Sequence, residues 1–527
     1  MEKSSGTIWY LDVGKANDLK SPKNRAIYRL LEILPGFLSW ITLLFVILGS
    51  WLMPVFIAFF IIAFDVYWLL KTLYFSFHLR SSYNQMKKNL AVNWLDKLKR
   101  EININNWQNI YHLIILPFYK ESFDVLDATF KKLIDSNYPK DKFIVVLASE
   151  ERAGQHAQGT ARQIEQKYGS LFFKFLITVH PKDIPGELAG KGSNETWAGK
   201  KVKEKIIDSL NIPYENIIVS VFDIDTQVYP DYFGCLTYHY LTCENPLKSS
   251  FQPIPIYNNN IWEAPAFSRV VAASGTFWHM MQQERSERLA TFSSHSMNFK
   301  TLVQMNFWNT KNVSEDSRIF WKCLLFHNGD YQTVPLYYPV SMDANLAPTL
   351  WQTIKNIYRQ QRRWGWGAEN IPYLIFGFLK NKKIPFLKKI RYTFNQLEGF
   401  WSWATNALIL FMLGWLPLYL GGQKFNETML SYNLPQITRI LMTLAMIGIF
   451  SSAVYSTILL PPRPTSHPWR KYFYMIFQWA MLPFTIIFFG AIPGLDAQTR
   501  LMIGKYMGFW VTPKERTTLK QEQAKIA

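Results

Sequence analysis

An α/β domain carried by a helical membrane part is the fold class that this 527-residue sequence predicts. Three observations point there. Between residues 105 and 345 short apolar runs alternate with helix-like patterns, as in a mostly parallel sheet. Both flanks of that region carry apolar stretches of the roughly 20 residues that a spanning helix needs. The composition averages the two kinds of region. It is 49% hydrophobic and 16% aromatic, with 39 Phe, 27 Tyr and 20 Trp, yet the mean hydropathy is -0.04. Such an aromatic load fits interfacial belts, and the near-zero hydropathy excludes a pure bundle of spans.

Residues 1–29 read as a polar cytoplasmic tail with Lys15, Lys20, Lys23, Arg25 and Arg29. Residues 30–77 are long enough for two spans, with Gly49-Ser50 and Pro54 marking the hairpin between them. No small-residue cleavage site follows a short apolar core, so the segment reads as an anchor. Basic flanks on both sides place both ends of the hairpin in the cytoplasm. Asp65, inside the second span, is either a functional group or a carboxylate paired within the bundle. Residues 78–104 form a basic amphipathic connector.

Within 105–345 the expected strands are Tyr111–Leu116, Phe143–Leu147, Leu171–Val179 and Ile217–Phe222. Residues 346–396 read as basic interfacial helices; Lys380, Lys382, Lys383, Lys388, Lys389 and Arg391 lie there within a stretch that holds no acid. The 397–495 region is expected to hold spans at 397–421, 437–460 and 472–494. Three spans would leave the amphipathic tail 496–527 outside. Pro483 splits the last into halves too short to cross, so a re-entrant or kinked segment returns the tail to the cytoplasm. The layout describes a multi-pass protein of the cell (inner or plasma) membrane with its catalytic domain in the cytoplasm.

The formal charge of +19 is gathered beside apolar stretches rather than on a soluble aromatic module. That favours membrane lipids and anionic substrates over nucleic acid. Cys235, Cys243 and Cys323 show no metal spacing and read as reduced thiols.

Three constellations could carry chemistry. Asp223-Ile224-Asp225 follows an expected strand, where two carboxylates can share Mg²⁺ or Mn²⁺ and a diphosphate; the competing reading is a solvated loop. Ser314-Glu315-Asp316 heads a helical pattern and supplies a general base, or simply a favourable helix start. Gln360, Arg363 and Trp364 sit on neighbouring turns of a helix, suited to a leaving diphosphate and an acceptor sugar, or to a basic interfacial helix. His279 lies near an acceptor or in the core.

Taken in order, these motifs resemble the membrane-integrated family-2 glycosyltransferases, the group of cellulose, chitin and hyaluronan synthases. The family pattern runs P-x-Y-x-E, a Lys-Gly turn, D-x-D, [TS]-E-D and Q-x-x-R-W. This chain shows Pro117-Phe118-Tyr119-Lys120-Glu121, Lys191-Gly192, Asp223-Ile224-Asp225, Ser314-Glu315-Asp316 and Gln360 to Trp364. Phe509 to Lys514 is similar to the F-x-V-T-x-K gating loop of cellulose-synthase-like enzymes. The resemblance implies a GT-A-type (Rossmann-like) domain and an inverting transfer with Asp316 as base beside Glu315. It implies Pro117, Tyr119, Glu121, Glu150, Lys191, Asp223, Asp225, Arg363, Thr512 and Lys514 around a UDP- or GDP-sugar. Asp223 and Asp225 would hold the metal, and Gln360 and Trp364 would meet a glycan or lipid-linked acceptor. Two departures stand out. Leu147-Ala148-Ser149-Glu150-Glu151-Arg152 stands where many members carry a paired Asp, with Glu150 or Glu151 as its substitute, and Ser193-Asn194-Glu195 follows the Lys-Gly turn in place of small apolar residues.

Three functions compete: a cell-envelope glycosyltransferase, a processive synthase that secretes its own polymer, and a silent sugar-nucleotide-binding membrane protein. About five spans are few for a closed polymer channel, which ranks the second below the first unless the chain forms a homo-oligomer.

Overall fold

A computed structural model describes residues 8–101 and 106–513. Its centre is one eight-stranded sheet in the order β3-β2-β1-β4-β7-β6-β8-β5. The strands are β1 (Tyr111–Pro117), β2 (Phe143–Glu150), β3 (Lys174–His180), β4 (Ile217–Val221), β5 (Gln227–Val228), β6 (Ser249–Tyr257), β7 (Ser296–Asn298) and β8 (Gln332–Met342). The first four are parallel, and they are the four runs expected from the sequence. They read as unbroken apolar runs because helices cover both faces of that half of the sheet. The short β7 then pairs antiparallel with β4 and turns the second half of the sheet.

This order places β2 and β4 on opposite sides of β1, so the chain reverses its direction of progress there. Open α/β sheets hold their ligands at such a switch point, beyond the carboxyl ends of the strands. Pro117–Glu121 and Asp223–Asp225 leave β1 and β4 at that crevice.

The helices that position the site are α1 (Pro22–Leu52), α2 (Pro54–Leu90), α3 (Lys191–Val202), α4 (Ala266–Gln283), α5 (Glu315–Phe326), α6 (Leu350–Gly365) and α7 (Phe386–Leu408). Two longer ones follow, α8 (Met429–Ile458) and α9 (Lys471–Met502). Among the described residues α1, α2, α8 and α9 are long and apolar enough to cross a membrane. Ser21 caps α1, with Pro22 opening it, and Pro54 opens α2 immediately after the turn at Met53. The α/β domain with a helical membrane part is thus the fold class observed.

One detail differs from expectation. The span expected at 397–421 falls on α7 and a π turn, Ile409–Leu413, and is not one of the four. Lys388, Lys389 and Arg391 make the start of α7 polar, while Gly414 and Pro417 end its apolar run. Helix α9 is kinked by a 3-10 turn, Gln478–Met481, by Pro483 and by a π turn, Ile487–Ala491. It is held from end to end by residues around the α/β domain. Lys471 donates to the Trp262 carbonyl, and Arg269 Nε donates to Gln478 Oε1 at 2.6 Å. The Phe267 and Phe489 rings stack at 5.7 Å, Arg362 pairs with Asp496 at 2.9 Å, and Arg29 donates to the Leu501 carbonyl at 2.9 Å. These contacts run from the first residue of α9 to its last turn.

The N-terminal arm packs there as well. Leu11 enters the core beneath the sheet, and fully buried Arg318 of α5 donates to the Val13 carbonyl at 3.3 Å.

Candidate active site

Lys191, the first residue of α3, is the hub of the crevice. Its ammonium lies 2.9 Å from both carboxylate oxygens of Asp316 and 2.9 Å from Asp223 Oδ1. It also lies 3.5 Å from Glu195 and 3.7 Å from Glu315. Burial lowers its proton affinity, but the four carboxylates outweigh that and hold it well above an ordinary lysine.

One ammonium does not neutralise four carboxylates. Glu195 and Glu315 are 0% and 1% exposed. Burial, reinforced by the neighbouring acids, pushes Glu195 well up and Glu315 to about 8, against the pull of Lys191. Neither oxygen of Glu195 has a hydrogen-bond partner among the described residues. Glu195, Glu315 and Asp316 each offer an oxygen within 4.8 Å of the others. This all-oxygen set suits Mg²⁺ or Mn²⁺. Asp225 faces inward from the same turn; it is fully buried, and its Oδ2 accepts from the Asp343 amide at 2.9 Å.

Glu315 and Asp316 open α5, and Glu369 fixes that opening. Its Oε1 accepts from the amides of Val313 and Ser314, each at 2.9 Å, and from Ser314 Oγ at 2.6 Å. Its other oxygen accepts from Trp366 Nε1 at 2.9 Å. Glu369 lies four residues past the end of α6, so it ties the segment after Q-x-x-R-W to the turn bearing Asp316. His295, buried beside them, has Nδ1 3.7 Å from Asp316 Oδ1. Burial lowers its basicity.

At the ends of β1 and β2, Glu121 accepts from the Tyr119 amide at 2.7 Å. Glu150 is bound by Arg152 through two hydrogen bonds, and the Arg152 guanidinium lies 4.9 Å from the centre of the Tyr119 ring. Glu150, expected from the resemblance near the nucleotide, is half of an ion pair laid beside Tyr119.

The crevice opens into a cavity of 2270 Å³ that is also lined by Pro117, Gln360, Arg363, Trp364 and Thr512. Trp364 lies 6.1 Å from Tyr257. Arg363 lies 5.0 Å from the Phe509 ring, which also packs over Gly190; a Cβ there would meet the ring at 2.6 Å. Thr512 is 6% exposed, and its hydroxyl has no partner among the described residues. Lys514 lies outside the described residues. His279 also lines the cavity, where burial pushes it down to about 3 and keeps it neutral. Asp65, in α2, accepts from Thr438 of α8 at 2.8 Å, which places it in a helix contact.

The structure thus gathers the sequence candidates from Pro117 to Thr512 around one cavity. It adds Glu195, Arg152, His295 and Glu369. Glu195 and Arg152 stood within the two departing stretches. Neither His295 nor Glu369 had any local signal.

No family model and no curated protein matches the chain. Among solved structures it is similar to a mannosyltransferase from Pyrobaculum calidifontis in complex with GDP-Man and Mn²⁺. That match has 11% identity and a TM-score of 0.40, and covers 75% of this chain and 98% of that one. It is also similar to a TarS fragment from S. aureus in complex with UDP-GlcNAc, at 10% identity and a TM-score of 0.36, over 66% and 91% of the two chains. Likeness at this level assigns no activity to this chain.

Proposed function

We propose that the chain is an inverting membrane glycosyltransferase that moves a sugar from a UDP- or GDP-sugar to a glycan or lipid-linked acceptor in envelope glycan synthesis. The observation that carries this reading is the meeting of Lys191, Asp223 and Asp316 at the switch point of the sheet. In one displacement the acceptor oxygen attacks the anomeric carbon as the bond to the diphosphate breaks. Asp316 takes the hydroxyl proton.

Lys191, which covers Asp316 in the free chain, moves to the departing diphosphate, and Arg363 adds charge from the other side. Tyr119, Glu121 and the Glu150–Arg152 pair hold the nucleoside, while Gln360 and Trp364 receive the acceptor. Thr512 closes over the diphosphate. Asp223 and Asp225, with the acids around Lys191, would hold Mg²⁺ or Mn²⁺, which neutralises phosphate charge when bound. The membrane topology belongs to the same reading. The tail, whose Phe509 and Thr512 line the crevice, would then lie with the sheet on the cytoplasmic side of a cell membrane.

The second reading, a processive synthase that also secretes its polymer, has one observation in its favour. The cavity that Asp316 lines is also lined by Trp403, Phe411, Gln436 and Arg439 of the helical part.

The test is nucleoside diphosphate release from a panel of UDP- and GDP-sugars. It uses the purified chain in lipid, with Mg²⁺ or Mn²⁺, beside Asp223→Ala and Asp316→Asn. Release with one donor, lost in both variants, is expected. No release together with no nucleotide binding would overturn the transferase reading.

A further inference from the structure

A second concavity lies on the far side of α9 from the main cavity. It measures 600 Å³ and runs between α6, Phe267 of α4 and the middle of α9. Its wall is apolar: Phe267, Trp351, Phe484, Phe488 and Ile492 line it. Its rim is cationic: Lys355, Arg359 and Arg362 follow one another along α6 at spacings that share a face. Arg362 is neutralised by Asp496 at 2.9 Å. Among the described residues, neither Lys355 nor Arg359 forms an ion pair. Lys355 lies 5.3 Å from the Trp351 ring and Arg359 lies 5.7 Å from the Trp510 ring.

We propose that this groove binds one anionic phospholipid, its phosphate on Lys355 and Arg359 and an acyl chain along Phe267, Phe484 and Phe488. Charge and position choose the occupant. Trp351, Phe484 and Phe488 are 63%, 62% and 53% exposed, and they flank the groove. Tryptophan beside lysine and arginine marks the level where a bilayer's polar and apolar parts meet. Two unpaired cations over an apolar slot match a phosphodiester followed by a chain. A zwitterionic lipid brings the same phosphodiester with a quaternary ammonium that Lys355 and Arg359 repel, and a free phosphate satisfies only the rim.

The groove also touches the candidate site. Thr485 and Phe489 line both it and the main cavity. Helix α6 presents Gln360, Arg363 and Trp364 to the cavity and Lys355 and Arg359 to the groove. A lipid seated there holds α6 against α9 and steadies the residues assigned to the acceptor and leaving group. The lipid site itself rests on this geometry; only that last consequence rests on the transferase reading.

The test is native mass spectrometry of the full-length chain released from micelles. Phosphatidylglycerol and phosphatidylcholine with identical acyl chains are titrated in parallel, with and without inorganic phosphate. Two cations near a membrane surface predict a preference of about 10- to 30-fold for phosphatidylglycerol. The double variant Lys355→Ala/Arg359→Ala should erase that preference, and Lys355→Arg/Arg359→Lys should keep it. Both side chains are exposed, and the melting temperature of each variant verifies its fold. Equal binding of the two lipids by the unaltered chain, or an unchanged preference in the alanine variant, overturns the proposal. Displacement of phosphatidylglycerol by millimolar inorganic phosphate does so too, because the site would then be a bare anion site. None of these readouts depends on sugar transfer, so a failed transferase assay leaves them intact.

Discussion

The crevice around Lys191 and the basic stretch between residues 380 and 391 each gather like charges, with opposite sign and opposite solvation. In the crevice four carboxylates share one ammonium, and two of them are fully screened from water. On the basic stretch Lys382, Lys383 and Lys388 stand exposed. Like charges in water repel weakly and are screened by salt. The same charges in a buried site must be neutralised by a close partner, a proton or a ligand. The difference teaches where substitution should hurt: severely in the crevice, and hardly at all on the basic face.

The largest effect is expected at Asp316. Asparagine keeps its shape and removes the carboxylate proposed as the base, so sugar transfer should fall by about 10²- to 10⁴-fold. Nucleotide binding, read by calorimetry, should change by no more than about twofold if the role is proton removal. Loss of both together would mean that Asp316 mainly holds the site's structure.

Next comes Glu369. Alanine there strands the Val313 and Ser314 amides and the Trp366 indole, all of which now donate to its carboxylate. Hydrogen bonds to a charged group are worth about 1.5–3 kcal/mol each, and their partners are left buried. Melting temperature should therefore drop clearly. A Glu369→Gln variant, which can still accept, should recover most of the loss. If Glu369 positions Asp316, turnover should fall in the alanine variant while donor affinity holds, and the glutamine variant should restore most of it.

The pH dependence is smaller and has a definite sign. Glu315 has its affinity for protons raised to about 8 in the folded chain, by burial first and then by Asp316. The unfolded chain loses that proton near the ordinary glutamate value of about 4.3. Between those values the folded state binds more protons, so stability falls as pH rises and levels off above the higher one. Glu195 shifts the same way. Melting of the metal-free protein in detergent should fall from about pH 5 to about pH 8, and Glu315→Gln should flatten the slope. A flat profile in the unaltered chain would show that the crevice is better neutralised than its geometry implies.

These contrasts also mark what sequence can disclose. Unbroken runs such as Phe143–Leu147 announce buried parallel strands because both faces are covered, and that signal is local. So is Asp223-Ile224-Asp225 at a strand's end. The hub itself is not local: Lys191 meets Asp316 across 125 positions. Glu369 reaches Val313 across 56. Neither contact leaves a periodicity. The path of α9 was half legible. Pro483 signalled a kink, but contacts with Trp262, Arg362 and Arg29 set its direction. Glu150 was visible as an unusual carboxylate, whereas its pairing with Arg152 beside Tyr119 depends on the turn that follows β2.

The smallest expected effect tests the exposed side of the comparison. Lys382 and Lys383 are both exposed and form no ion pair among the described residues. The double variant Lys382→Ala/Lys383→Ala should leave stability within about 0.5 kcal/mol, as surface substitutions usually do. Its trace should appear only in association with anionic vesicles. Each basic residue near such a surface contributes about 1 kcal/mol at physiological salt. Co-sedimentation should thus weaken at low ionic strength and match the unaltered chain once salt shortens the Debye length to about 3 Å, near 1 M. A melting shift as large as that of Glu369→Ala would break the comparison, because it would mean that these lysines are packed against unseen partners. A salt-sensitive loss of vesicle binding with an unchanged melt would sharpen it: exposed charge would then act on the membrane, and buried charge on the chain itself.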